Sequence, residues 1–196
     1  MADSDANQLD QTLDAEPRPA SAGISYQQLL DTDAFPVPEV LRLTSPKFLG
    51  NDDIPNERYT SREWHEREIE RLWKRVWQFA CREEQIPYVG SHIVYDIGNL
   101  SFIVMRSAPD EIKAFYNACL HRGRQLKDHS GRCTELRCPF HGFAWDLQGG
   151  LKDVPARWDF PHVDDAVFSL PEARVGTWGG FVFINPDPDA GPLEEF

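Results

Sequence analysis

Positive charge is scarce in this sequence. Twenty Lys and Arg stand against 32 Asp and Glu, a formal net charge of −12. Binding nucleic acid needs a surplus of cations for the phosphates, and docking on an anionic membrane needs the same, so neither is expected as a main partner. Long apolar runs are missing too: no segment approaches the ~20 consecutive apolar residues of a membrane span. The opening stretch, MADSDANQLDQTLDAEPRP, is acidic and lacks the basic and apolar parts of a signal peptide. These absences predict a cytoplasmic protein. Cysteine is also sparse, with four residues in 196. In a reducing compartment these count as thiols, metal ligands or catalytic groups before they count as disulfides. No internal repeat with a fixed period is present.

What remains is an ordinary globular composition, 41% hydrophobic and 12% aromatic, long enough for one domain with a core and an added tail. Residues 1–22 carry Asp3, Asp5, Asp10, Asp14 and Glu16 against Arg18 and read as a disordered acidic tail. Residues 23–58 read as a linker. Its prolines at 36, 38, 46 and 55 allow no long helix, only a brief one around Tyr26–Leu30. A helix is expected over 59–80. Thr60-Ser61-Arg62-Glu63 has capping-box spacing, and Ile69, Leu72, Trp73, Val76 and Trp77 recur at helical intervals as one apolar face.

From Pro87 the period changes to two. His92–Ile97 and Leu100–Arg106 flank Gly98-Asn99, which fits a type II′ hairpin turn. Ile112–Tyr116, Thr134–Arg137, Phe143–Leu147 and Gly180–Ile184 are further short strands, many of them separated by turn signals such as Gln148-Gly149-Gly150. The pattern predicts an antiparallel all-β domain over 81–190.

Two short motifs carry chemistry: Cys119-Leu120-His121 and Cys138-Pro139-Phe140-His141, with sixteen residues between His121 and Cys138. Each follows a predicted strand, so two loops can approach one point. Each offers one thiolate and one imidazole, a mixture that zinc and the irons of Fe–S clusters both accept. The usual zinc pattern places two Cys in one knuckle and two His on a helical segment. One Cys and one His per loop suits a two-iron cluster better, because both loops then feed both irons. Cys81 and Cys133 lie outside the motifs and read as a packed residue and a bystander. His65, His92, His129 and His162 have no partner at ligand spacing and read as surface or core residues.

The spacing Cys-x-His, sixteen residues, Cys-x-x-His resembles the signature of Rieske proteins. The runs Asn117-Ala118-Cys119-Leu120-His121-Arg122-Gly123, Cys138-Pro139-Phe140-His141-Gly142-Phe143 and Trp178-Gly179-Gly180-Phe181-Val182-Phe183-Ile184-Asn185-Pro186 resemble the Rieske domain of ring-hydroxylating oxygenase α subunits. The resemblance covers roughly 60–196. It implies a Rieske-type β-sandwich with a small cluster-binding subdomain, and a [2Fe–2S] cluster with Cys119 and Cys138 on the inner iron and His121 and His141 on the outer one. Imidazoles in place of two thiolates make the cluster less negative and raise its potential above that of an all-cysteine cluster.

Respiratory-complex Rieske proteins are similar but carry an extra Cys in each loop, where this chain has Arg124 and Phe140. They also carry a Ser and a Tyr after the second motif, where this chain has Phe143 and Trp145. Losing hydroxyl donors to sulfur lowers the potential, so a low-potential, oxygenase-type cluster is expected. The family implies a ferredoxin or reductase as donor and a homo-oligomer. It also implies a catalytic domain, of the same or a neighbouring subunit, holding a mononuclear non-haem Fe(II). No second paired ligand motif is present, and residues 191–196 are read as the start of that domain. The isolated chain is therefore expected to be redox-active only. The alternatives are a stand-alone Rieske ferredoxin-like carrier and a structural zinc module; the long N-terminal region and aromatic helix favour the oxygenase. Arg122, Arg124, Lys127, Arg132 and Arg137, against Asp128 and Glu135, read either as a solvated loop or as a docking patch for an acidic donor.

Overall fold

A computed structural model describes residues 23–42 and 53–196; the acidic tail expected over 1–22 lies outside the described residues. The chain divides into two units, Met1–Asp53 and Ile54–Phe196. In the first, α1 (Tyr26–Leu30) is the brief helix anticipated from the proline spacing. Ser25 accepts from the Gln28 amide and the Gln28 side chain accepts from the Ser25 amide, a complete capping box. Neither α1 nor the 3₁₀ turn Glu39–Arg42 buries a residue.

The second unit opens with α2 (Glu57–Thr60) and α3 (Arg62–Glu68), followed by a π turn over Ile69–Trp73 in which the Lys74 amide reaches the Ile69 carbonyl at 3.0 Å. The helical stretch departs from expectation at both ends. Ser61, not Thr60, caps α3, because Ser61 is the residue with extended backbone (φ −83°, ψ 127°) and its hydroxyl accepts from the Trp64 amide. The helix also stops at Trp73 rather than at 80. Val76 and Trp77 lie in the connection that follows, and Gln78–Arg82 is instead β1, paired antiparallel with Phe181–Ile184, so sheet pairing takes over where the helical spacing was expected to continue.

The remaining strands are β2 (Ser91–Ile97), β3 (Leu100–Ala108), β4 (Glu111–Tyr116), β5 (Gly131–Arg132), β6 (Leu136–Arg137), β7 (Ala144–Trp145), β8 (Leu151–Asp153), β9 (Glu172–Trp178) and β10 (Phe181–Asn185). They form a seven-stranded sheet, β1-β10-β9-β4-β3-β2-β5, and a three-stranded sheet, β6-β7-β8; every pairing is antiparallel. The predicted hairpin is present, with Ile97 opposite Leu100 and Gly98 at φ +55°.

Strand β3 sits between two cores. Phe102 and Val104 face Cys81, Ile86, Ala114, Val182 and Ile184 on one side. Ile103 and Met105 face Phe115, Leu136, Phe143 and Trp145 on the other. Burial of both faces is why Phe102-Ile103-Val104-Met105 is an unbroken apolar run. The second core joins the small sheet to the large one, and Cys119 and Cys138 belong to it.

Gly98 meets two constraints at once. Its φ is disfavoured for any other residue, and an added Cβ would lie 2.4 Å from Ile69 Cδ1. Gly98→Val is expected to destabilise the folded chain by about 2–4 kcal/mol, combining turn strain with overpacking. Urea unfolding followed by tryptophan fluorescence measures this, and a change under about 0.5 kcal/mol, the range of ordinary surface substitutions, would show that the contact is not tight.

Candidate metal centre

The two motif loops share one backbone plan. In the loop after β4, the Cys119 amide donates to the Arg124 carbonyl at 2.8 Å, and the Gly123 amide donates back to the Cys119 carbonyl at 2.8 Å. In the loop between β6 and β7, the Cys138 amide donates to the Phe143 carbonyl at 2.8 Å, and the Gly142 amide donates back to the Cys138 carbonyl at 3.1 Å. Both glycines have positive φ, +71° and +80°. Each cysteine is thus fixed at the start of a tight turn, with its histidine two or three residues further along the turn.

The four side chains separate by depth. Cys119 and Cys138 are each 3% exposed; His121 is half-buried and His141 is exposed. The imidazole centroids of His121 and His141 are 4.8 Å apart. Burial pushes the Cys119 thiol up. The backbone amides of His121 and Arg122 aim at its sulfur and act the other way, and the neighbouring Cys138 raises it again. The His121 pKa is lowered, first by loss of solvent and then by the charges of His141 and Arg122. A buried thiol pair with a more exposed histidine pair beside it has the donor set of a two-iron group with unlike ends.

Aromatic rings hold the histidines. His121 stacks on Phe143, centroids 4.7 Å apart and 14° between planes, and meets the edge of Phe160 at 5.4 Å. His141 stacks on Phe140 at 3.8 Å. Phe143 is buried, and the Trp145 indole N–H donates to the Phe168 carbonyl at 2.9 Å. Neither residue therefore offers sulfur a side-chain donor.

The supporting roles of two residues escaped the sequence reading. Buried Asn117 spends its amide on the first loop and on β3. Its oxygen accepts from the Leu126 and Lys127 amides at 3.0 and 2.9 Å, and its nitrogen donates to the Lys127 carbonyl at 2.6 Å and to Ser101 Oγ at 3.1 Å. Arg137, read as part of a basic patch, clamps the second loop. It donates to the Gly142 carbonyl at 2.7 Å and pairs with Glu135 at 2.7 Å and Asp153 at 3.0 Å. Only Asn117's place two residues before Cys119 could have flagged it. Arg137 carried no signal beyond charge.

The other cysteines and histidines lie outside the two turns, 119–124 and 138–143. Cys81 lies in the opposite core, where burial pushes its thiol up to about 11. Cys133 is half-buried with its sulfur 3.8 Å from His92 Nδ1. His92 is a core residue whose Nδ1 lies 3.1 Å from the Gly90 carbonyl. His65, His129 and His162 are exposed. Arg124, Lys127, His129 and Arg132 line one groove that also reaches Pro139, beside the Phe140–His141 stack.

Residues 76–164 match the family described as the Rieske [2Fe-2S] domain. Biphenyl 2,3-dioxygenase subunit alpha of Rhodococcus jostii is 34% identical over 140 residues, covering 70% of this chain and 30% of the relative. Choline monooxygenase of Beta vulgaris chloroplasts is 30% identical over 133 residues, covering 68% and 30%. A crystal structure of the quaternary ammonium Rieske monooxygenase CntA with L-carnitine superimposes with a TM-score of 0.67 at 27% identity, covering 72% of this chain and 40% of that one. Naphthalene 1,2-dioxygenase from a Rhodococcus species, with indole bound, gives 0.64 at 34% identity, covering 68% and 31%. The chain thus spans about a third of the length of the curated relatives.

Two outcomes are expected. Replacing Cys119, His121, Cys138 or His141 with Ala abolishes or severely reduces cluster incorporation, whereas Cys81→Ala and Cys133→Ala retain it; iron and sulfide content with the visible spectrum decides. A fully loaded His141→Ala protein would overturn the ligand set. The second concerns Glu135, whose carboxyl is held down at about 2 by hydrogen bonds from Lys152 and then Arg137. A depressed folded-state pKa gives stability that is full above the unfolded value, near 4.5, and is lost as pH falls through about 2. Between those values Tm of wild type should fall more steeply than that of Glu135→Gln. Parallel pH profiles would remove Glu135 from the account.

Proposed function

We propose that this chain, whose residues 76–164 belong to the Rieske [2Fe-2S] domain family, takes single electrons from an acidic ferredoxin or reductase and passes them toward the mononuclear non-haem iron of an oxygenase α subunit. The observation that carries this reading is the depth ordering on twin loops: two thiols in the core, two imidazoles at the surface, all four on turns of the same design.

Cys119 and Cys138 would hold the inner iron, and His121 and His141 the outer one. The cluster supplies reversible one-electron storage at a potential set by its ligands and their hydrogen bonds. The chain's own residues do the rest. The His121 and Arg122 amides stabilise negative charge on the Cys119 sulfur. Phe143 and Trp145, with no donor free for sulfur, keep the potential low. Phe143, Phe160 and Phe140 fix the ring planes of the histidines through which the electron crosses the surface. We place the acceptor in the same or a neighbouring subunit. One related structure is described in terms of inter-subunit electron transfer, and the relatives include a monooxygenase and the alpha subunit of a dioxygenase. The 196 residues alone would be redox-active without hydroxylating a substrate.

The groove beside Pro139 supports a donor site. Arg124 and Lys127 make no ion pair among the described residues, whereas Arg137 makes two. Arg132 is spent on the Val89 carbonyl at 3.1 Å and the Tyr88 ring at 5.2 Å. The docking charge is therefore assigned to Arg124 and Lys127, a narrower set than the sequence offered.

The reconstituted chain should show a midpoint potential toward the low end of the Rieske range, which runs from roughly −150 to +300 mV. Its reduction by an acidic ferredoxin should slow as salt rises. Lys127→Glu should slow reduction at low salt and leave the potential unchanged. A potential near the top of the range, with salt-independent reduction, would refute this reading.

A further inference from the structure

We infer that the turn carrying Trp158 is a second docking surface, separate from the basic groove, and that it receives a basic electron acceptor. The inference rests on the electron-transfer reading above and adds where the outgoing partner binds.

The turn is built to hold one shape. Ala156 has φ +54°, the sole non-glycine residue with positive φ among the described residues, a conformation that costs of order 1 kcal/mol in a side-chain-bearing residue. From there Arg157–Asp159 forms a 3₁₀ turn, closed by the Asp159 amide on the Ala156 carbonyl at 2.8 Å and the Phe160 amide on the Arg157 carbonyl at 3.0 Å. The Arg157 guanidinium locks the far side, donating to the Val163 carbonyl at 2.7 Å and to Asp165 at 2.6 Å.

The turn is seated on both cluster loops. Phe160 meets His121 edge-on at 5.4 Å, and Pro155 packs so closely on Gly142 that a Cβ there would come within 3.0 Å. From this braced position Trp158 projects into solvent, 82% exposed. The described residues leave most of this tryptophan uncovered, an apolar face open to a partner. Tryptophan is the residue type most enriched among interface hot spots, where it fills a pocket on the partner.

Charge identifies the partner. Asp159, Asp164 and Asp165 are exposed on the turn; Arg157 pairs with Asp165, which leaves the segment from Arg157 to Asp165 acidic. The groove lined by Arg124, Lys127, Arg132 and Arg137 against Asp128 shares no residue with that segment and is basic. One surface cannot steer both signs, because like charges facing across an interface suppress the wrong partner. An acidic donor fits the groove, and an acceptor with a basic rim and an apolar pocket fits Trp158. The step is one electron leaving the reduced cluster for the acceptor's oxidised metal, with no other bond made or broken.

The full 196-residue chain, reconstituted with its cluster and pre-reduced with dithionite, is mixed with ferricytochrome c, a basic one-electron acceptor, and its reoxidation is followed by stopped flow. Reduction of the oxidised chain by a plant-type [2Fe–2S] ferredoxin is measured separately. Trp158→Ala and Asp159→Lys should slow reoxidation at low salt by about tenfold, the size of a truncated hot spot, and leave reduction by ferredoxin within about twofold. Lys127→Glu should give the reverse. Thermal unfolding and the electron paramagnetic resonance spectrum of each variant check that the site is intact. Reoxidation unchanged in both variants, or both directions slowed equally, would overturn the proposal. A wild-type chain that takes no electron from ferredoxin would refute the donor reading instead, while the dithionite-reduced arm still decides this one.

Discussion

A repeated pair of hydrogen bonds sets up this domain. In each cluster loop the cysteine amide is tied to the carbonyl five residues on, and a left-handed glycine four residues on returns its amide to the cysteine carbonyl. That closure turns the chain sharply enough for one residue to point inward and another, two or three along, to point outward. A thiolate needs shelter and amide donors. An imidazole that is to meet a partner needs a surface. The turn satisfies both within one loop, and the two loops satisfy them together because each is anchored elsewhere, the first by Asn117 and the second by Arg137.

Anchoring of this kind requires a stiff platform, and β3 provides it. With Phe102 and Val104 in one core and Ile103 and Met105 in the other, the strand cannot slip by one residue without exchanging the two sets. The sulfurs rest in the second core, and the aromatic rings that orient the histidines grow from the same core. Packing and site geometry are therefore one problem. Phe143 shows it: the ring fills the core and stacks on His121.

The parts legible in the sequence were those set by local rules. The alternation of β2 and β3, Gly98 in their turn, and the Cys and His pairs with their intervals depend on neighbours a few residues away. Misreadings arose where distant pairing decided the outcome. Gln78–Arg82 follows residues spaced like a helix and becomes a strand because Phe181–Ile184 lies opposite. Strand β9, absent from the strands expected from the sequence, joins β10 to β4. Asn117 and Arg137 act through backbone atoms of other segments, which no spacing rule reports. Arg137 looked equivalent to Arg124 by charge alone and is set apart by its bond to the Gly142 carbonyl and its two ion pairs.

The pairing of β1 with β10 also fixes an order of events. Gln78 lies against Ile184, so the large sheet closes only after more than a hundred intervening residues have been made. Contacts so distant in sequence close late and slowly, since loop-closure entropy must be met before they give anything back. The segment from Leu100 to Asp153 holds β3–β4, β6–β7–β8 and both cysteine loops as neighbours in sequence. During synthesis this inner segment leaves the ribosome well before residue 184. Its hairpins can therefore form while Gln78–Arg82 still waits for its partner, leaving the apolar residues of β1 uncovered in the nascent chain until the last strand arrives.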